Sequence, residues 1–279
     1  MARRILVPLD GTDYSKVATK VAIDMAKKNG GIVIGLGVVD TEEIDESAIG
    51  AGIGASYYAE HLKNYKKNKA IGKIRTFLDE FEDECKDAKV NYERHSKSGD
   101  PVEEIIDMGK ISDLIVTGLR TFFHFATTPK PGDTLKELLE SGVCPVLAVP
   151  EKPVKNNKKV LIAYDDTVSS SKAMKMFQRF YKRNPYAKKI YVINVNDDLD
   201  KANETLNKVE KYFKSHGIKI EKIKRAGKPG KEILTIAKEK KVNTIVMGAY
   251  GEGGLSKIFF GHASIGVIED GSIPIFVYH

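Results

Sequence analysis

Two series of landmark residues in this chain can be laid over one another, and that repetition restricts the possible folds more than any single motif does. Asp10 answers Asp165, Gly99-Asp100-Pro101 answers Gly227-Lys228-Pro229, Gly118 answers Gly248, and Cys144-Pro145-Val146 answers Ile273-Pro274-Ile275. Gly99 and Gly118 are 19 steps apart, Gly227 and Gly248 are 21. Asp10 and Gly99 are 89 apart against 62 for Asp165 and Gly227, so the first copy carries an insertion of about 27 residues. That excess falls after Asp40 and in a lengthened second helix.

Within each copy, apolar runs of strand length alternate with helical periodicity. In the first copy, strands are expected at 4–9, 32–39, 89–96, 114–117 and 145–149. Helices are expected at 15–28, 58–87, 102–108 and 134–140. In the second copy, the strands fall at 159–163, 189–195, 218–224, 244–247 and 273–277. Its helices fall at 169–181, 202–215, 231–240 and 264–269. Strands alternating with helices predict parallel sheets with right-handed crossovers and helices on both faces. The expected architecture is α/β: two repeated doubly wound domains, each a parallel five-stranded sheet, at 1–151 and 152–279. The join at 151–158 holds Pro153 and paired Asn156-Asn157, as an exposed linker would.

Composition narrows the function classes. The 279 residues are 42% hydrophobic and 30% charged, a globular balance, and the net charge is +7. Basic runs are interspersed with acids and lack the interleaved aromatics of a stacking platform, so nucleic acid is not an expected partner. No apolar run reaches the roughly 18 residues of a membrane span. The five-residue apolar core near the N-terminus is short for a signal peptide. The expected location is cytoplasmic, with no membrane association. Cys85 and Cys144 read as ordinary thiols, and His61, His95, His124 and His216 lack metal-ligand spacing, so no metal site is expected. No P-loop and no nucleophile–histidine order stands out, and no carboxylate pair is marked as catalytic.

In open α/β sheets, ligands bind beyond the carboxyl ends of the strands, at the switch in strand order. There the second copy reads MGAYGEGGLSKIFFGHAS, with Gly248, Gly251 and Gly261 spaced G-x2-G-x9-G and Ser264 just beyond. Such a loop lets backbone N–H groups approach an anion, and a helix starting near Gly261 to Ser264 would add its dipole. Lys257 in the same loop either reaches phosphate or is solvated. The run Gly50, Gly52, Gly54 opens no dinucleotide fold and reads as a loop tip, a candidate lid.

These residues also carry a resemblance. LIAYDD, GKPGKEIL, the glycine loop and SIPIFVY in the second half resemble the universal stress protein domain. So do ILVPLDGTDYS, SGDPVEEII, LIVTGLR and GVCPVLAVP in the first half. The resemblance implies a nucleotide-binding α-hydrolase-like fold and, in the ATP-binding members, the pattern G-x2-G-x9-G-[ST] after strand four. Carried over by position, it implies Asp165 at the adenine or ribose edge, with Tyr164 beside it. Ala163 and Val195 line the adenine pocket, with Met247 and Ala249 flanking the loop. Gly248, Gly251 and Gly261 admit the phosphates, helped by His262, Ala263 and Ser264. The implied cofactor is ATP, with Mg2+ as an optional companion, acting as a regulatory ligand of a stress-response module whose enzymatic activity would be at most weak ATP hydrolysis. His262 stands where the family has Ser or Thr, and it either donates to phosphate or fills the site. The first half departs further. Thr121 replaces the second glycine, Pro131 stands ten residues on, Gly132 is one position late, and Phe122, Phe123 and Phe125 crowd the loop. Its Asp10 and Val38 survive, and it is expected to be nucleotide-free. In the family the last strands pair edge to edge, implying an intramolecular pseudo-dimer, further association as a homodimer, and protein partners not specified. The competing readings are a slow ATPase using Asp165 and Asp166, and a nucleotide-free scaffold.

Overall fold

The structure, a computed structural model, describes residues 2–41, 44, 56–121, 133–153, 158–183, 187–249, 267 and 270–279. Its contacts divide the chain into two compact units, Ala2–Cys144 and Pro145–His279. The first unit runs β1 (Arg4–Pro8), α1 (Asp13–Asn29), β2 (Ile32–Asp40), α2 (Ser56–Ala88), β3 (Asn91–Gly99), α3 (Pro101–Gly109), β4 (Leu114–Gly118) and α4 (Asp133–Ser141). Its strands lie in the order β3-β2-β1-β4, with every pairing parallel.

The second unit begins with β5 (Val146–Val149) and β6 (Lys159–Ala163), then α5 (Val168–Arg183), β7 (Lys189–Val195) and α6 (Leu199–Ser215). It continues through β8 (Glu221–Arg225), α7 (Pro229–Lys240), β9 (Thr244–Gly248) and β10 (Ile275–Tyr278). The order is β5-β10-β9-β6-β7-β8. Here β10 lies parallel to β9 but antiparallel to β5, with Phe276 opposite Leu147. By sequence β5 is the last strand of the first repeat. By contact it completes the sheet of the second unit, which moves the contact boundary ahead of the repeat boundary at 151.

Both units follow from the same local chemistry. The strands beside the switch, β1, β4, β6 and β9, are buried over most of their length, as parallel strands covered on both faces must be. Helix α1 starts on Thr12, whose side chain accepts from Ser15 N–H, and stops on left-handed Gly30. Asp100 caps α3 by accepting from Glu103 N–H at 2.8 Å, with Pro101 in the first turn. Its counterpart Lys228 offers α7 no side-chain cap, and Pro229 alone pre-sets that first turn.

The insertion in the first copy has a structural outcome. Helix α2 lies over β2, and glycines let its side chains reach the sheet. A Cβ on Gly35 would stand 2.6 Å from the Phe81 ring, and one on Gly37 would stand 2.5 Å from Ile74 Cγ2. Phe77 similarly fills the space a side chain at Gly11 would need. Ile74, Leu78, Phe81 and Cys85 are buried along this face. In the second unit the positions matching Gly35 and Gly37 are Val192 and Asn194, both buried.

Candidate functional site

In each unit the strand order reverses beside the first strand. β1 pairs with β2 and β4, and β6 pairs with β7 and β9. Parallel register and strand alternation decide which face each strand end serves. Ala163 is level with Ile193, and Leu161 with Ile245. Ala163, Val195 and Met247 therefore share one face, while Tyr164 and Asn194 belong to the other. The same rule puts Pro8, Val38 and Thr117 on one face of the first unit.

Asp165 follows β6 at the mouth of this edge. Its Oδ1 accepts from Thr167 Oγ1 at 2.6 Å and from Thr167 N–H at 3.2 Å. Its Oδ2 has no hydrogen bond among the described residues. Asp166, the next residue, stands in the left-handed region at φ 66° and is engaged elsewhere. It accepts from Lys208 Nζ at 2.7 Å and from the Tyr164 hydroxyl at 3.1 Å. The Lys208 ammonium, with lesser help from Tyr164, holds the Asp166 carboxyl below its ordinary range. Tyr164 is buried, its hydroxyl 3.0 Å from Ser171 Oγ, and burial pushes its phenol upward. The two adjacent carboxylates thus serve different partners.

Gly248 ends β9 against the first turn of α5. A Cβ there would lie 2.5 Å from Ser169 Oγ and 2.6 Å from Ser170 N. Gly118 makes the same approach in the first unit, its absent Cβ 2.6 Å from both Tyr14 Cβ and Arg120 O. Close packing therefore accounts for the first glycine of the loop in both copies. Ala249 is buried, and its N–H donates to Tyr278 O at 3.4 Å. Gly251, Gly261, His262, Ala263 and Ser264 lie outside the described residues, as do Lys257, Gly50 to Gly54, and Phe122, Phe123 and Phe125.

The first unit repeats the Asp165 arrangement. Asp10 Oδ1 accepts from Thr12 Oγ1 at 2.6 Å and Thr12 N–H at 3.0 Å, and Thr12 Oγ1 accepts from Ser15 N–H at 3.3 Å. In the second unit Ser170 N–H donates to Thr167 Oγ1 at 3.2 Å. Sequence reading missed this Asp-x-Thr-x-x-Ser module, although Asp10, Thr12, Ser15 and Asp165, Thr167, Ser170 recur in register. It also missed Asn194, whose Nδ2 donates to Tyr164 O at 2.7 Å while its buried Oδ1 has no partner among the described residues.

Exposure separates the copies. Pro8, Asp10 and Val38 are buried, whereas Ala163, Asp165 and Val195 are half-buried. Among the described residues the first copy also buries two hydroxyls without partners, Thr117 and Thr121. Among the described residues no group of three or more His, Cys, Asp or Glu is placed to hold a metal. Burial pushes both the Cys85 and Cys144 thiols up to about 12, so neither is a nucleophile at neutral pH. His95 lies 3.3 Å from Glu93, and His216 Nδ1 is 2.8 Å from Tyr212 O, both far in sequence from the strand ends of the site. No helix among the described residues is long and apolar enough to cross a membrane.

Comparison with known proteins agrees with this fold. The family model described as "Universal stress protein family" matches residues 1–150 and again 156–279. The universal stress protein MJ0531 of Methanocaldococcus jannaschii is 36% identical over 78 residues, 28% of this chain and 46% of that protein. MJ0577 of the same organism is 30% identical over 82 residues, 29% of this chain and 51% of that protein. The match thus spans about half the length of these curated relatives. The crystal structure of a universal stress protein from Archaeoglobus fulgidus covers 99% of this chain and 98% of its own, with TM-score 0.73 and 23% identity, a likeness of fold. The chain belongs to the universal stress protein family, as two tandem copies of its α/β fold.

Proposed function

We propose that the protein binds one adenine nucleotide, ATP in the first instance, at the strand ends of its second copy, residues 152–279. The observation that carries this is the open edge of that copy. Asp165 is half-buried, its Oδ2 without a hydrogen bond among the described residues, beside the half-buried apolar Ala163 and Val195. A carboxylate with a spare acceptor and an adjoining apolar face suits a nucleoside, which offers hydroxyl or amine donors and a flat apolar base. The phosphates would be held by backbone N–H groups at Gly251, Gly261, His262 and Ala263 and by the Ser264 hydroxyl, as the family pattern implies.

The nucleotide acts as a ligand that biases conformation or partner choice in a cytoplasmic stress-response module. Hydrolysis is disfavoured, because Asp166 is already committed to Lys208 and Tyr164. A second chain cannot add to β10, whose two edges are taken by β5 and β9. Equilibrium titration of ATP against the wild type and Gly251→Val tests the reading. Binding by the wild type that weakens at least tenfold in the variant supports it, and a wild type that takes up no adenine nucleotide overturns it.

A further inference from the structure

The geometry points to Thr167 as a positioning residue that fixes the Asp165 carboxylate for the nucleoside part of the ligand, an inference that rests on the nucleotide reading above. A lone aspartate at the end of a strand can rotate among several rotamers. Asp165 is pinned from two sides. On one side, the Ser170 N–H at the start of α5 donates to Thr167 Oγ1 at 3.2 Å, and the Thr167 hydroxyl donates to Asp165 Oδ1 at 2.6 Å, much closer than the Ser170 Oγ at 3.2 Å. The helix backbone thereby orients the hydroxyl, and the hydroxyl orients the carboxylate. On the other side, the residue before Asp165 is tied at both ends. Tyr164 N–H donates to Ile193 O at 3.0 Å, and Tyr164 O accepts from Asn194 at 2.7 Å. The first copy has the matching Leu9 N–H to Leu36 O bond at 2.8 Å, but Gly37 there supplies no amide clamp.

With Oδ1 fully engaged, Oδ2 is presented without a rotamer search, so less freedom remains to be lost on binding. A carboxylate only accepts, and it repels phosphate. The group Thr167 aims Asp165 at is therefore a hydroxyl or amine donor of the nucleoside, and ligands lacking phosphate should feel its loss as strongly as ATP does.

Because Thr12 caps α1 with the same geometry in the copy whose cradle has decayed, the molecule supplies its own control. Calorimetric titration with ATP and with adenosine, alongside thermal denaturation, would compare Thr167→Val, Thr167→Ser, Thr167→Asp and Thr12→Val. Thr167→Val should weaken both ligands about tenfold, and Thr167→Ser should stay within about twofold of wild type. Thr167→Asp keeps an N-cap acceptor but no donor for Asp165, so it should lose affinity without losing the helix start, even if Thr167→Val folds poorly. Thr12→Val should cost thermal stability and leave affinity unchanged. In an Asp165→Asn background, Thr167→Val should weaken binding no further. Wild-type affinity in both Thr167→Val and Thr167→Asp would overturn the positioning role while leaving the nucleotide reading intact. Absence of binding by the wild type would overturn both.

Discussion

At the strand ends the two copies carry the same framework in different degrees of closure. Both have the aspartate after the first strand, a threonine on its Oδ1 at 2.6 Å, and a glycine ending the fourth strand against the next helix. In the first copy, Pro8, Asp10 and Val38 are buried, and α2 sinks Ile74 and Phe81 onto Gly37 and Gly35. In the second copy the matching residues are half-buried, and β7 carries Val192 and Asn194 in place of the glycines. The comparison separates what the fold requires from what a ligand would require. The strand-end glycine packs against the next helix in both copies, so folding alone explains its presence, and the Asp–Thr module caps that helix in both. Openness at Ala163, Asp165 and Val195 belongs to the second copy alone.

The largest effect should come from filling the shared glycine contact. Gly248→Val would drive a side chain into the backbone at Ser169 and Ser170, and Gly118→Val into Tyr14 and the Arg120 carbonyl. Each should destabilise by about 3 kcal/mol or more, because neither backbone can give way cheaply. Chemical denaturation measures this, and a tolerated Gly248→Val would show that the glycine serves the ligand loop alone. A smaller loss, about 2 kcal/mol, is expected of Gly37→Asn, which places the second copy's residue under Ile74 of α2. If Gly37→Asn instead proved neutral, the close seat of α2 on β2 would not distinguish the copies.

The division between what could and could not be read in advance runs along these features. The strands 159–163 and 189–195 were legible because buried parallel strands are uninterrupted apolar runs. The third strand of the second copy begins later than 218, at Glu221, because Ile218 N–H is still bonded to Phe213 O at the end of α6. Helix α6 begins earlier than 202, since Asp198 caps the N–H groups of Asp200 and Lys201. In the site, Asp165 was marked by its repeat position, yet its dependence on Thr167 was not, since a capping threonine resembles any loop residue until a partner is placed on it. The resemblance puts Tyr164 beside Asp165 at the adenine or ribose edge. Alternation turns its ring to the opposite face, where Ser171 and Asp166 engage the hydroxyl. The phosphate-loop assignments from Gly251 to Ser264 fall outside the described residues.

A stabilising change tests the closed copy. Thr117 buries a hydroxyl with no partner among the described residues where the second copy has Met247. Thr117→Val, close in shape, should raise stability by about 1 kcal/mol, because a buried unpaired hydroxyl opposes folding. A loss of stability would mean that the hydroxyl is satisfied in solution.

The smallest expected effect is in the acid dependence of the α2 seat. Lys86, Tyr92 and Arg94 hydrogen-bond the Glu82 carboxylate and hold it down to about 2. Its folded pKa is depressed, so its contribution is present above the ordinary carboxylate range near 4.5 and fades as pH falls from there towards 2. Glu82→Gln should flatten that part of the stability–pH curve by lowering stability at neutral pH while leaving the most acidic end nearly unchanged. A curve of unaltered shape would remove Glu82 from the account.

The comparison comes to a point in the stoichiometry of nucleotide binding. Calorimetric titration of ATP into the full chain, with Asp165→Asn and Asp10→Asn beside the wild type, tests it most directly. One nucleotide per chain is expected, weakened at least tenfold by Asp165→Asn and unchanged by Asp10→Asn. Two nucleotides per chain, or binding that survives Asp165→Asn and fails with Asp10→Asn, would contradict the assignment of the open edge as the working site.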